Sequence, residues 1–195
     1  MELAGKQNEA ALYYLCMAAD GNIAKEELEL FDRLCGEMQL TAEDKRAVID
    51  QVESWLEDAS AIEVIREQKL ADTLWEEARA GGGFLAVMLF VSGNTSKRSR
   101  KLARYVWNLV LLSYADGKFS GNESAIISYL LGAWKLDLEL YREFVHAADT
   151  VRMLMGQQEW VKQHLDYNEA KRKLDLLDEE IAWVGKSVQT SISEI

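Results

Sequence analysis

Apolar side chains recur along this chain every three to four residues, the spacing that gathers them on one face of an α-helix. Leu12, Leu15, Cys16 and Ala19 form one such stripe, and Leu28, Phe31, Leu34, Cys35 and Met38 a second. A third helix starts at Thr41, where Thr-Ala-Glu-Asp sets an N-cap hydroxyl ahead of acidic residues that suit the positive helix start. Its apolar face is Val48, Ile49, Val52, Trp55 and Leu56. A fourth helix is predicted over about 60–80, carrying Ile62, Ile65, Leu70, Leu74 and Trp75. Gly81-Gly82-Gly83 is the clearest break and reads as a hinge. An eight-residue apolar run, Phe84 to Val91, follows, and then a helix capped by Thr95 or Ser96. No segment alternates apolar and polar residues in the manner of a strand. The fold class is therefore all-α, a helical bundle of about seven to eight helices.

Toward the C-terminus, Tyr167, Ala170, Leu174, Leu177, Ile181, Val184, Val188 and Ser191 alternate by threes and fours. This is a heptad seam on a long amphipathic helix spanning 158–190. Lys171-Arg172-Lys173 and Asp178-Glu179-Glu180 fall outside the seam. The seam either packs on the chain's own bundle, or offers Leu174, Leu177, Ile181, Val184 and Val188 to a protein partner or a second copy in a homodimer.

Composition agrees with the pattern. Among 195 residues there is no proline, against a usual share of about 5%, and proline is what breaks helix interiors. The apolar share of 49% argues against wholesale disorder and allows one ordinary domain or two small ones. The formal net charge is −11, which makes nucleic acid a poor partner, because phosphate contacts need Lys and Arg. That excess is uneven: residues 1–80 hold 19 acids and 8 bases, whereas residues 81–195 hold 14 of each. Lys97, Arg98, Arg100, Lys101 and Arg104 form a dense basic cluster in a stretch without acids from Glu77 to Asp116. Beside the apolar run 84–91, that cluster has the two signals of peripheral attachment to anionic lipid. The competing reading is internal pairing with the acidic first half, or simple solvation. Two cysteines, Cys16 and Cys35, are too few for a disulfide framework and suit a cytoplasmic protein with reduced thiols. The first residues lack the apolar core of a signal peptide, and the run 84–91 is far short of the roughly 20 residues of a membrane span.

Catalytic signals are thin. His146 and His164 lack metal-ligand spacing, and neither a nucleophile elbow nor a phosphate-binding glycine loop is present. Trp55, Trp75, Trp107, Trp134, Trp160 and Trp183 are most simply core anchors. The chain does repeat itself. Residues 12–50 align with 108–146 without gaps: Leu15 with Leu111, Ala19 with Ala115, Asp20 with Asp116, Gly21 with Gly117, Glu27 with Glu123, Leu34 with Leu130, Gly36 with Gly132. The period is too long and the copies too few for a solenoid. The simpler organisation is one all-helical domain over 1–195 built on a pseudo-repeat, with units at about 8–58 and 97–155.

Each copy carries Ala-Asp-Gly, a polar residue, an apolar residue, a spacer and Glu. Structurally, Gly21 and Gly117 sit where a helix end wants a left-handed residue, Ile23 and Phe119 plug the turn into the core, and Ser120 with Glu123 has capping-box spacing. Ala24 occupies the cap position of the first copy, so Glu27 there has no hydroxyl to answer it. Functionally, Asp20 with Glu27 and Asp116 with Glu123 are paired carboxylates, the ligands that hard cations such as Ca²⁺ and Mg²⁺ take. Ile23 and Phe119 interrupt the ligand spacing of an EF-hand, so the turn is not one.

Two such turns, each between helices in an acidic all-helical chain, resemble the tellurite-resistance TerB-like family, whose superfamily includes the amino-terminal region of a membrane-anchored DnaJ-type co-chaperone. The resemblance covers residues 12–50 and 108–146. It implies a helical bundle without a catalytic centre, tied to stress response or to assembly of complexes near membranes. It also implies divalent-cation binding through acidic residues, which carries over to Asp20, Glu27, Asp116 and Glu123.

Overall fold

The computed structural model describes residues 3–80 and 92–195. Gly81-Gly82-Gly83 and the apolar run 84–91 lie outside the described residues. Those described are mostly helical and contain no strand. In order they form α1 (Lys6–Met17), α2 (Lys25–Glu37), α3 (Ala42–Leu56), α4 (Ala61–Glu67), α5 (Leu70–Ala80), α6 (Ser92–Ser113), α7 (Gly121–Trp134), α8 (Leu138–His164) and α9 (Tyr167–Glu194), with one 3-10 turn at Ala18–Asp20. No described helix is long and apolar enough to cross a membrane.

The helix expected over 60–80 is two helices, because Lys69 takes a left-handed backbone, φ +51°, and its N–H bonds back to Arg66 O at 3.2 Å. The expected 158–190 helix is likewise divided. Asp166 accepts hydrogen bonds from the N–H groups of Asn168 and Glu169, at 3.0 and 3.1 Å. It therefore caps the start of α9, and residues 158–164 belong to α8. α6 starts at Ser92, so Thr95 and Ser96 lie inside it.

The chain divides into two compact units, 1–137 and 138–195, a boundary that falls within the span 97–155. In the first unit α1 is the central helix, packed against α2, α3, α4, α5, α6 and α7. Its residues from Asn8 to Met17 are all buried. The stripe of Leu12, Leu15 and Cys16 is thus only part of what it buries, since a helix surrounded on every side has no polar face. Tyr13, Phe31, Ile65, Leu74, Leu102, Leu109 and Leu112 are fully enclosed around it. The second unit is an antiparallel hairpin of α8 on α9, joined in the half nearer its turn by Gln158 Nε2 donating to Asp178 Oδ1 at 2.7 Å.

Candidate functional site

Both Ala-Asp-Gly turns adopt one geometry. Gly21 has φ +81° and Gly117 φ +80°, the left-handed conformation that glycine takes without a Cβ penalty. Asp20 Oδ1 accepts from Asn22 N–H at 2.9 Å, and Asp116 Oδ1 accepts from Lys118 N–H at 2.7 Å, so each aspartate ties its own turn. Glu27 Oε2 accepts from Ala24 N–H at 2.6 Å, and Glu123 Oε2 from Ser120 N–H at 2.7 Å. Ser120 Oγ returns the bond by accepting from Glu123 N–H at 3.2 Å. The second capping box is complete, and the first has only its glutamate half.

The fold brings the two turns together. Asn122 Nδ2, at the start of α7, donates to Ala19 O at 2.8 Å, and Cys16 Sγ lies 3.6 Å from Ser113 Oγ. Glu27 and Glu123 are buried, with 4% and 3% of their surface exposed. Burial pushes the Glu27 carboxyl up to about 7, and the negative charges of Glu123, Asp116 and Asp20 push the same way. Burial also raises Glu123, to which Asp20 adds, while hydrogen bonds from Ser120 and Ser113 oppose the rise. The four carboxylates named from sequence thus form one electrostatic group.

Their donor set is all oxygen, the chemistry of a hard-cation site. One oxygen of each is already committed to its own backbone, however. Among the described residues no group of three or more His, Cys, Asp or Glu side chains is disposed to hold a metal ion. As it stands the arrangement caps two helices and brings the Glu27 carboxyl up to about 7.

The basic cluster is partly spent inside the fold. The Arg98 guanidinium stacks 4.0 Å from the ring centroid of Trp75 on α5, and Lys101 Nζ stands 5.7 Å from that of Tyr105. Lys101 and Arg104 also act on Glu9, holding down a carboxyl that burial raises. Lys97, Arg100 and Arg104 remain exposed.

Glu9 is the residue that reading along the chain misses. It is 6% exposed, accepts from Tyr13 Oη at 2.8 Å, and Tyr13 Oη in turn accepts from Asn108 Nδ2 of α6 at 2.8 Å. Nearby, Glu77 Oε1 accepts from Asn8 Nδ2 at 2.7 Å and from Gly5 N–H at 3.0 Å. The available signal was a glutamate four residues before a tyrosine, at the edge of a stretch that carries no charge from Ala10 to Ala19.

The heptad seam turns inward. Val184 and Val188 are buried and Leu174, Leu177 and Ile181 half-buried on the helix that packs against α8. A cleft of about 480 Å³ runs between the two, floored by Phe144, Val184 and Val188 and edged by Glu143, His146 and Trp183.

The family model for the tellurite resistance protein TerB matches residues 6–141, which takes in all of the first unit's helices and only the first turn of α8. No curated protein and no solved structure matches the chain significantly. With an all-α core, two Ala-Asp-Gly turns and a match over more than half of its length, the chain belongs to the TerB family of tellurite resistance proteins.

Proposed function

We propose that this chain is a non-enzymatic, cytoplasmic TerB-type module that serves stress response by assembling protein complexes, with the α8–α9 hairpin as its assembly surface. One observation carries the reading. The hairpin leaves Met153 59%, Trp160 53%, Leu176 52% and Trp183 70% exposed, and large apolar side chains in water mark surfaces that are covered in use. Apart from the first turn of α8, this hairpin lies beyond the family match. The test is growth on tellurite of a host lacking the chain, complemented with wild type or with Met153→Ser, Trp160→Ser and Trp183→Ser combined. Loss of resistance with unchanged helicity and melting temperature is expected. Full resistance from the triple variant would remove the hairpin from the function.

Contact with an anionic membrane surface rests on Lys97, Arg100 and Arg104, which stay in solvent on α6. Flotation with vesicles rich in anionic lipid should fall when the three become serine, and flotation indifferent to them would end the idea.

A second reading, divalent-cation binding, is favoured by the mutual repulsion of Asp20, Glu27, Asp116 and Glu123. A Ca²⁺ ion drawing them together would relieve that repulsion and displace the Glu27 proton, so affinity would rise with pH through about 7. Calorimetric titration with Ca²⁺, Mg²⁺ and Zn²⁺ decides it. Absence of heat, or heat unchanged by Asp20→Asn with Asp116→Asn, would overturn it.

A further inference from the structure

α9 carries a second stripe, distinct from its heptad seam. Glu169, Leu176 and Trp183 recur every seven residues, flanked by Arg172, Lys173, Glu179 and Glu180. At 100° per residue these seven lie within about 60° of Leu176, whereas the seam is centred about 120° away. All seven are exposed. Their charges are also unspent. Three ion pairs stud α8, namely Arg142 with Glu139, Arg152 with Asp149 and Lys162 with Glu159. Among the described residues, Arg172, Lys173, Glu179 and Glu180 join none. Asp178, Glu179 and Glu180 form a like-charge block, and the next cation along the helix is Lys186, almost two turns on.

The order of those charges is self-complementary about one point. Two bases lie three and four residues before Leu176, and two acids lie three and four residues after it. We propose that a second copy of this chain docks here, α9 against α9, antiparallel across a two-fold axis through Leu176. Arg172 then meets Glu179 of the second copy and Lys173 meets its Glu180, since each pair lies on the same side of Leu176. Symmetry repeats both pairs on the other side of a Leu176–Leu176 contact. Trp183 covers the stretch beside Glu169 of the second copy and closes the ends of the contact. A parallel, in-register alignment sets acid on acid and base on base, so the same charges that favour this dimer reject that one. An unrelated helix would have to reproduce both the order and the spacing, and a second copy has them by identity. The contact of one helix pair is small, so the dimer belongs to the weak, micromolar class.

This deepens the assembly reading by naming one partner for the hairpin. Sedimentation equilibrium on the full chain tests it. Wild type should dimerise in the micromolar range. Arg172→Glu with Lys173→Glu, and Glu179→Lys with Glu180→Lys, should each weaken association at least about a hundredfold, since each sets like charges face to face. An equimolar mixture of the two should associate again, now all-acidic face on all-basic face. Leu176→Cys should form an intermolecular disulfide under mild oxidation and the control Gln189→Cys should not, the native Cys16 and Cys35 being buried. A wild type monomeric throughout, charge-reversed variants that dimerise like wild type, or a mixture that stays apart would overturn the proposal. The two readings fail separately. A monomeric chain whose tellurite resistance still needs the hairpin keeps the assembly role and loses the second copy as partner. A dimer whose hairpin is dispensable for resistance does the opposite.

Discussion

Glu27 carries the most information of any single side chain. Its raised carboxyl means that the folded state binds a proton more tightly than the unfolded chain, from an ordinary value of 4.5 to about 7. The stabilisation that follows is fully present below the ordinary value and is lost as pH rises through about 7. Glu27→Gln keeps an oxygen to accept the Ala24 N–H and removes the titration. Urea unfolding across that range should show wild type losing roughly 2 kcal/mol, after allowance for solvent screening, and the variant losing much less. A wild-type profile as flat as the variant's would mean that neither burial nor the neighbouring carboxylates raise Glu27 in the folded chain. The cysteines give a second outcome at this scale. Burial pushes the Cys16 thiol up to about 12 and Cys35 up to about 11, and thiolate is the reactive form. Neither should react with a thiol reagent until the chain unfolds, as absorbance of the released chromophore reports. The turn residues themselves were readable from the sequence, since Asp-Gly and Ser-x-x-Glu act within a few residues. Glu9 was not, because the Tyr13 hydroxyl that donates to it is itself held by Asn108, on a helix nearly half the chain away.

At the scale of elements, the differences from expectation sit at helix ends. Periodicity alone runs through residues 60–80 without a pause, since the apolar face continues from Ile65 to Leu70 and Leu74. The break comes from the left-handed backbone of Lys69, a conformation that costs a non-glycine residue about 1 kcal/mol. Lys69→Gly should therefore raise stability by roughly 0.5–1 kcal/mol in a denaturant melt, and a loss would mean that the lysine stem packs usefully. The long C-terminal helix was legible as a seam but not as a hairpin. Residues before and after Asp166 both keep helical spacing, and only the capping bonds of Asp166 show where one helix stops. The seam itself had two readings, and packing against α8 gives its apolar face an occupant within the chain. The outward stripe through Leu176 is left as the face of α9 open to a partner.

For the molecule as a whole, the formal net charge of −11 means self-repulsion, which screening reduces. Raising ionic strength from about 10 mM to about 150 mM should stabilise the chain by a few tenths of a kcal/mol. A fall instead would show that pairings such as Lys101 and Arg104 with Glu9 outweigh it. Helix content, the two glycine turns, the caps at Thr41 and Ser120 and the long C-terminal amphipathic stretch were determined by the sequence alone. Each depends on hydrogen bonds and side-chain spacing within a few residues, where the chain has few alternatives. Tertiary structure decided that α1 is buried all round, that Arg98 turns onto Trp75, and that carboxylates from two turns share one field. Those outcomes depend on desolvation and on charges meeting across long sequence separations, and neither is set until distant helices pack.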